Sequence, residues 1–124
     1  MAKPGNTGMR RIIRATRFSA QGLAQAWQHE TAFRQEIALT IVLFPAAIWL
    51  GRTGFERLIL IICCLFVLII ELLNSAIEAT IDRFGKEHHE LSGRAKDMGS
   101  AAVFMSLIVV AATWGTIVYL RFLA

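Results

Sequence analysis

A chain of 124 residues is short enough to be one domain. It is 56% hydrophobic, with a mean hydropathy of +0.55, more apolar surface than a soluble core of this size can bury, which makes lipid the solvent for part of it. The net charge of +4 and pI near 9.7 come from charges set between the hydrophobic segments, an arrangement that suits an anionic membrane surface and argues against nucleic acid as a partner.

Residues 1–8 hold Pro4, Gly5 and Gly8 and read as a loose tail. No apolar run followed by a small-residue cleavage site opens the chain, so no cleaved signal peptide is expected. Over about 6–28 the pattern is amphipathic. Arg10, Arg14 and Arg17 recur at i, i+4, i+7, with Ile12, Ile13, Leu23, Ala26 and Trp27 on other faces. A helix lying on the membrane surface fits, its arginines towards lipid phosphates and Trp27 at the boundary; a helix packed on the rest of the protein is the plainer alternative.

A first span is expected over about 31–50. Ile37–Leu50 alone falls short of the ~20 residues a crossing needs. The span therefore takes in Arg34 and Glu36, which must snorkel or face protein, and Pro45, a point of kinking. The second span covers about 55–83, and its adjacent Cys63 and Cys64 read as packing residues. The third covers about 96–121, with Ala101, Ala102, Ser106, Ala111, Ala112 and Gly115 allowing close helix approach. The fold class is thus an all-α membrane protein, a single membrane domain of one surface helix and three transmembrane helices. Lys3, Arg10, Arg11, Arg14, Arg17 and Arg34, together with Arg83, Lys86, Arg94 and Lys96, outnumber Arg52, Arg57 and Arg121. That asymmetry puts the N-terminus and the 83–96 loop in the cytoplasm.

The informative feature is in the second span. Glu71, Asn74, Glu78 and Asp82 recur at i, i+3, i+7, i+11, one narrow helical stripe about 16 Å long. A carboxylate at membrane depth costs at least ~2.5–3.5 kcal/mol, and few basic residues lie at matching depth to pair with two of them. Function explains such a stripe better than helix-to-helix glue does. Glu30 and Glu36 flank Arg34 where the surface helix turns into the membrane, and a third polar set follows the second span: Glu87, His88, His89, Glu90, then Ser92 to Asp97. Carboxylates from different helices beside Lys and Arg are what Mg²⁺ and a polyphosphate require. Adjacent histidines cannot share one helical face and no Cys is near, so the His pair is a poor zinc site. The chain has no GxxxxGK followed by Ser or Thr, no GxGxxG opening a helix and no protein-kinase signature. A nucleotide would have to be held without a known phosphate loop, and a transporter or proton pathway fits the same acids.

The stretch Glu71–Val103, ELLNSAIEATIDRFGKEHHELSGRAKDMGSAAV, closely resembles the signature of the small prokaryotic diacylglycerol kinases, and Ala26–Glu36, AWQHETAFRQE, resembles the start of that family's first span. The resemblance implies ATP- and Mg²⁺-dependent transfer of the γ-phosphate to the 3-hydroxyl of diacylglycerol, giving phosphatidic acid. The setting would be the bacterial cytoplasmic membrane, in a homotrimer with sites shared between protomers. It implies Glu71 as general base with Asn74 orienting the reacting groups, Glu30 and Glu78 as metal ligands, and Arg11, Glu30, Glu78, Glu87, His88, His89, Lys96 and Asp97 around ATP. It also implies Arg11, Ser19, Glu36, Trp49, Glu71, Ser100 and Trp114 around the lipid. Three other readings compete: an undecaprenol kinase with the same glutamates, a small transporter or channel with Glu71 and Glu78 on the ion path, and a regulatory subunit using Asn74 and Glu71 for assembly.

Overall fold

A computed structural model describes residues 7–85 and 89–124. The described chain is helical, without strands: α1 (Gly8–His29), α2 (Thr31–Leu50), α3 (Gly54–Asp82) and α4 (Glu90–Phe122). Helices α2, α3 and α4 are each long and apolar enough to cross a membrane, as expected of a multi-pass membrane protein. With 20 residues, α2 is about 30 Å long, the thickness of the hydrocarbon layer. The 29 residues of α3 and 33 of α4 exceed that layer by about 14 and 20 Å. If their paired ends lie at one face, the surplus falls at the other, where α1 meets α2.

At the paired ends, a short turn joins α2 to α3. Thr53 caps α3 by accepting from Glu56 N–H at 3.1 Å, and the Glu56 carboxylate accepts from Arg52 N–H at 3.0 Å, a variant of the capping box. The Arg57 guanidinium donates to the carbonyls of Ile48 (3.1 Å) and Gly51 (3.0 Å), satisfying the last turn of α2. Arg52 donates to Leu120 C=O at 2.8 Å, tying the turn to the end of α4. Beneath it Ala47, Leu50, Leu60 and Ile117 form the buried core, and Trp114 donates to Leu60 C=O at 3.2 Å. Cys63 and Cys64 are buried and unpaired, and both thiols point at that same Leu60 carbonyl.

Gly51 is required here by space, not by conformation, since its φ of −72° is ordinary. A Cβ would lie 2.6 Å from Arg57 Cγ and 2.9 Å from Arg57 N. Gly51→Ala should therefore destabilise the protein by about 1–3 kcal/mol, the usual cost of overpacking. Gly54→Ala, with nothing within 4 Å of its Cβ, should not. Denaturation midpoints in detergent check both.

At the other end, Arg34 resolves the charged start of the first span. Its guanidinium turns back to the carbonyls of Trp27 (2.7 Å) and Gln28 (3.3 Å) and to Thr31 Oγ1 (3.1 Å), satisfying the end of α1. The chain runs through Pro45 as one continuous helix. Helix α3 ends at Asp82, and the chain turns away at Gly85, whose φ of +94° is a left-handed conformation natural to glycine. Helix α4 begins at Glu90, ahead of the expected start near 96, because His89 caps it: His89 Nδ1 accepts from Leu91 N–H at 3.1 Å. The polar run Ser92–Asp97 is thus helical and extends the third span beyond its apolar part.

Candidate active site

The stripe on α3 emerges where the bundle's long helices outrun α2. Glu71 is buried at 5% exposure, and Asn74 is buried three residues on. Glu78 and Glu36 are half-buried and Asp82 is exposed. Glu30, the lone residue between α1 and α2, is half-buried at the level the stripe occupies. Glu71 lies within electrostatic reach of Glu78 and Glu30, and Glu36 within reach of Glu71. Carboxylates from α2, α3 and the α1–α2 junction thus converge, although they are distant in sequence. Like charges held together this way are unfavourable unless a cation sits among them or one of them takes up a proton.

Asn74 Nδ2 donates to Glu78 Oε1 at 3.3 Å, while Asn74 Oδ1 and Glu36 Oε2 are buried without a hydrogen-bond partner. Among the described residues, no three His, Cys, Asp or Glu side chains are close enough together to form a complete metal cage. Mg²⁺ does not demand one, since it commonly takes one or two carboxylates and completes its shell with water and phosphate oxygens. Glu30 and Glu78 are hard oxygen donors of that kind.

Lys96 Nζ pairs with Asp82 Oδ1 at 2.9 Å, linking the end of α3 to the early part of α4. Both side chains are well exposed, so Lys96 can leave this pair at little cost. Asp97 is exposed on the next position of α4 and lines a shallow groove with Glu90 and Arg94, themselves 3.8 Å apart. His89 is committed to capping α4 through Nδ1. Glu87 and His88 lie outside the described residues.

Between α1 and α3 opens a largely apolar cleft of about 660 Å³, lined by Ser19, Leu23, Ala26, Glu30, Leu72 and Ser75 among others. It runs directly up to Glu30. Ala26 is the only buried residue of α1. Ile12, Ile13, Phe18, Leu23 and Trp27 are between 49% and 64% exposed, so among the described residues little covers the apolar side of that helix.

Not every expected site residue comes together. Arg11 is about 28 Å along α1 from Glu30, beyond the reach of its side chain. Ser19 lines the cleft but donates to Ala15 C=O at 2.9 Å. Ser100 is exposed. Trp114 packs near the core, and Trp49 sits at the far end beside Arg121 and Phe122. Sequence reasoning passed over Ser75, buried with no partner for its hydroxyl, and Gly99, buried in α4 against Asn74. A glycine inside a helix costs stability relative to alanine, and that was the available signal at Gly99.

The prokaryotic diacylglycerol kinase family matches residues 17–118 of the chain. The chain is 52% identical over 113 residues to the diacylglycerol kinase of Pseudomonas aeruginosa, covering 91% of this chain and 92% of that one. It is 49% identical over 113 residues to the diacylglycerol kinase of Haemophilus influenzae, covering 91% and 96%. Against the Escherichia coli (strain K12) diacylglycerol kinase it is 49% identical over 116 residues, covering 94% and 95%.

Proposed function

The chain belongs to the prokaryotic diacylglycerol kinase family and is an enzyme that phosphorylates diacylglycerol; we propose that it moves the γ-phosphate of ATP, as its magnesium complex, to the lipid 3-hydroxyl at the cytoplasmic boundary of the membrane. The observation that carries this reading is the convergence of Glu30, Glu71 and Glu78 beside a lipid-sized apolar cleft. One end of the cleft suits acyl chains. The other ends at Glu30, the member of the acid cluster that lines it, where a hydroxyl would meet a phosphate.

Phosphoryl transfer asks the protein mainly for positioning and for neutralising charge. In this proposal Glu30 and Glu78 hold the metal, which when bound neutralises charge on the β- and γ-phosphate oxygens. Lys96, released from Asp82, meets the phosphates, with Asp97, His89, Glu87 and His88 around the rest of the nucleotide. Glu71, one helical stretch deeper than Glu78, accepts the proton of the lipid hydroxyl, and Asn74 orients the Glu78 carboxylate. Glu36, with its buried free oxygen, accepts from the glycerol, while Ser19 and Ser100 border the lipid and nucleotide. Trp49 and Trp114 are placed to touch acyl chains or neighbouring lipid, not the reacting groups.

Two further parts of the proposal concern assembly. The uncovered apolar face of α1, with Arg10, Arg14 and Arg17 along another face, suits a helix lying in the lipid interface. The Lys and Arg excess supports a cytoplasmic position for α1 and the 83–96 segment, as in a protein of the bacterial inner membrane. Arg11 cannot reach Glu30 of its own chain, which supports a homotrimer whose sites draw on more than one protomer.

The test is transfer from ATP in mixed micelles with Mg²⁺ and either diacylglycerol or undecaprenol. Phosphatidic acid should form much faster than undecaprenyl phosphate, and chelation of Mg²⁺ should abolish it. A preference for undecaprenol would keep the chemistry and change the substrate. Absence of transfer to either lipid would overturn the reading.

A further inference from the structure

Asn74 is held from two sides. On its own helix, its Nδ2 donates to Glu78 Oε1 at 3.3 Å, one turn away. On the other side lies α4, where Gly99 is buried with its bare Cα surface against the Asn74 amide. A Cβ at position 99 would collide with Asn74 Oδ1 and stand 3.4 Å from Asn74 Cγ, with Ile77 Cδ1 at 3.9 Å closing the remaining space. Asn74 Oδ1 is buried and accepts no hydrogen bond, so no polar contact fixes that end of the amide. Only the absence of a side chain on Gly99 lets it lie there. Gly99 has no conformational reason to be glycine, since positive φ occurs only at Gly8 and Gly85 among the described residues.

We propose that Gly99 is a positioning residue for the reaction: its missing side chain seats the Asn74 amide against α4 so that the N–H of that amide aims the Glu78 carboxylate. This rests on the reading that Glu78 holds the metal. A side chain at 99 would push the amide off its seat and rotate or release the Glu78 carboxylate. The lipid cleft between α1 and α3 lies on another face of α3 and stays as it is. The effect should therefore fall on metal–nucleotide binding and on turnover, not on the lipid.

The experiment compares Gly99→Ala, Asn74→Leu, the double variant Asn74→Ala/Gly99→Ala and Asn74→Ala alone with the parent protein. Glu78→Gln serves as the reference for the metal. Binding of Mn²⁺ with a non-hydrolysable ATP analogue is read by electron paramagnetic resonance, alongside steady-state kinetics in micelles. Gly99→Ala should weaken Mn²⁺ binding and lower kcat by about 10–100-fold, the usual cost of losing a partner that orients a metal ligand, with KM for diacylglycerol within about threefold. Asn74→Leu keeps most of the bulk against Gly99 but loses the donor, and should lose metal affinity to a similar degree. In the Asn74→Ala background the collision is gone, so adding Gly99→Ala should weaken Mn²⁺ binding no further, and that pair keeps the test alive if Gly99→Ala alone does not fold. Unchanged Mn²⁺ affinity in Gly99→Ala, or an equal loss with and without Asn74, while Glu78→Gln is impaired, would overturn the inference alone. Unchanged affinity in Glu78→Gln would overturn the metal assignment and the inference with it.

Discussion

Glu71→Gln is expected to lower turnover by about 10²–10⁴-fold, the usual worth of a positioned general base, with the protein folded and still binding ATP. Glutamine preserves the shape and most of the packing of a residue only 5% exposed, so what it removes is the capacity to accept a proton. Position supports that role over a metal-ligand one. Glu71 lies seven residues before Glu78 on α3, about 10 Å deeper into the bundle, among Ile69, Ile70, Leu72 and Leu73 rather than beside the exposed Lys96 and Asp97. In the proposed mechanism the lipid hydroxyl would approach from that depth and the nucleotide from the other. Steady-state kinetics in mixed micelles, paired with nucleotide binding on the same preparation, make the check. Full turnover in Glu71→Gln would take the base away from Glu71, while loss of nucleotide binding would move Glu71 into the metal site.

Much of this arrangement was legible in the sequence because a membrane makes polar groups conspicuous. Glu71, Asn74 and Glu78 stood out through the cost of carboxylates within an apolar run, and the three spanning helices through length and hydropathy. The charged start of α2 could not be read the same way. Arg34 is acceptable there because the free carbonyls of Trp27 and Gln28 receive it, and those carbonyls exist only once α1 has ended at His29. The start of α4 was obscured for a related reason: Ser92 and Gly93 look like a loop, but His89 supplies the cap that starts the helix. Long-range pairings had no local signal at all. Lys96 with Asp82 and Gly99 with Asn74 depend on the register between α3 and α4, which no single helix encodes. Trp49 and Trp114 show the converse. Their places near the turn and the core follow from helix length, and they lie away from the acids that the resemblance groups with them.

Glu78→Gln carries the other large expected effect. A bound cation worth several kcal/mol to the transferring phosphate corresponds to roughly 10²–10⁴-fold in rate at 1.36 kcal/mol per tenfold, and loss of a carboxylate ligand should forfeit a large part of that. The variant should also require more Mg²⁺ for half-maximal activity, because each remaining ligand carries a greater share of the binding. Glu30→Gln should change in the same direction, since it faces the same cluster from the α1–α2 junction. The two can be told apart by what else they disturb. Glu78 accepts the Asn74 amide at 3.3 Å, a bond a glutamine oxygen can also accept, so Glu78→Gln should leave Asn74 in place and KM for diacylglycerol unchanged. Glu30 borders the lipid cleft, so its loss should raise KM for diacylglycerol as well as the Mg²⁺ requirement. Titrating Mg²⁺ at saturating ATP, at several diacylglycerol concentrations, separates these effects. If both variants keep the parent's Mg²⁺ dependence, the cation is held elsewhere, and the convergence of Glu30, Glu71 and Glu78 must be explained by proton transfer alone.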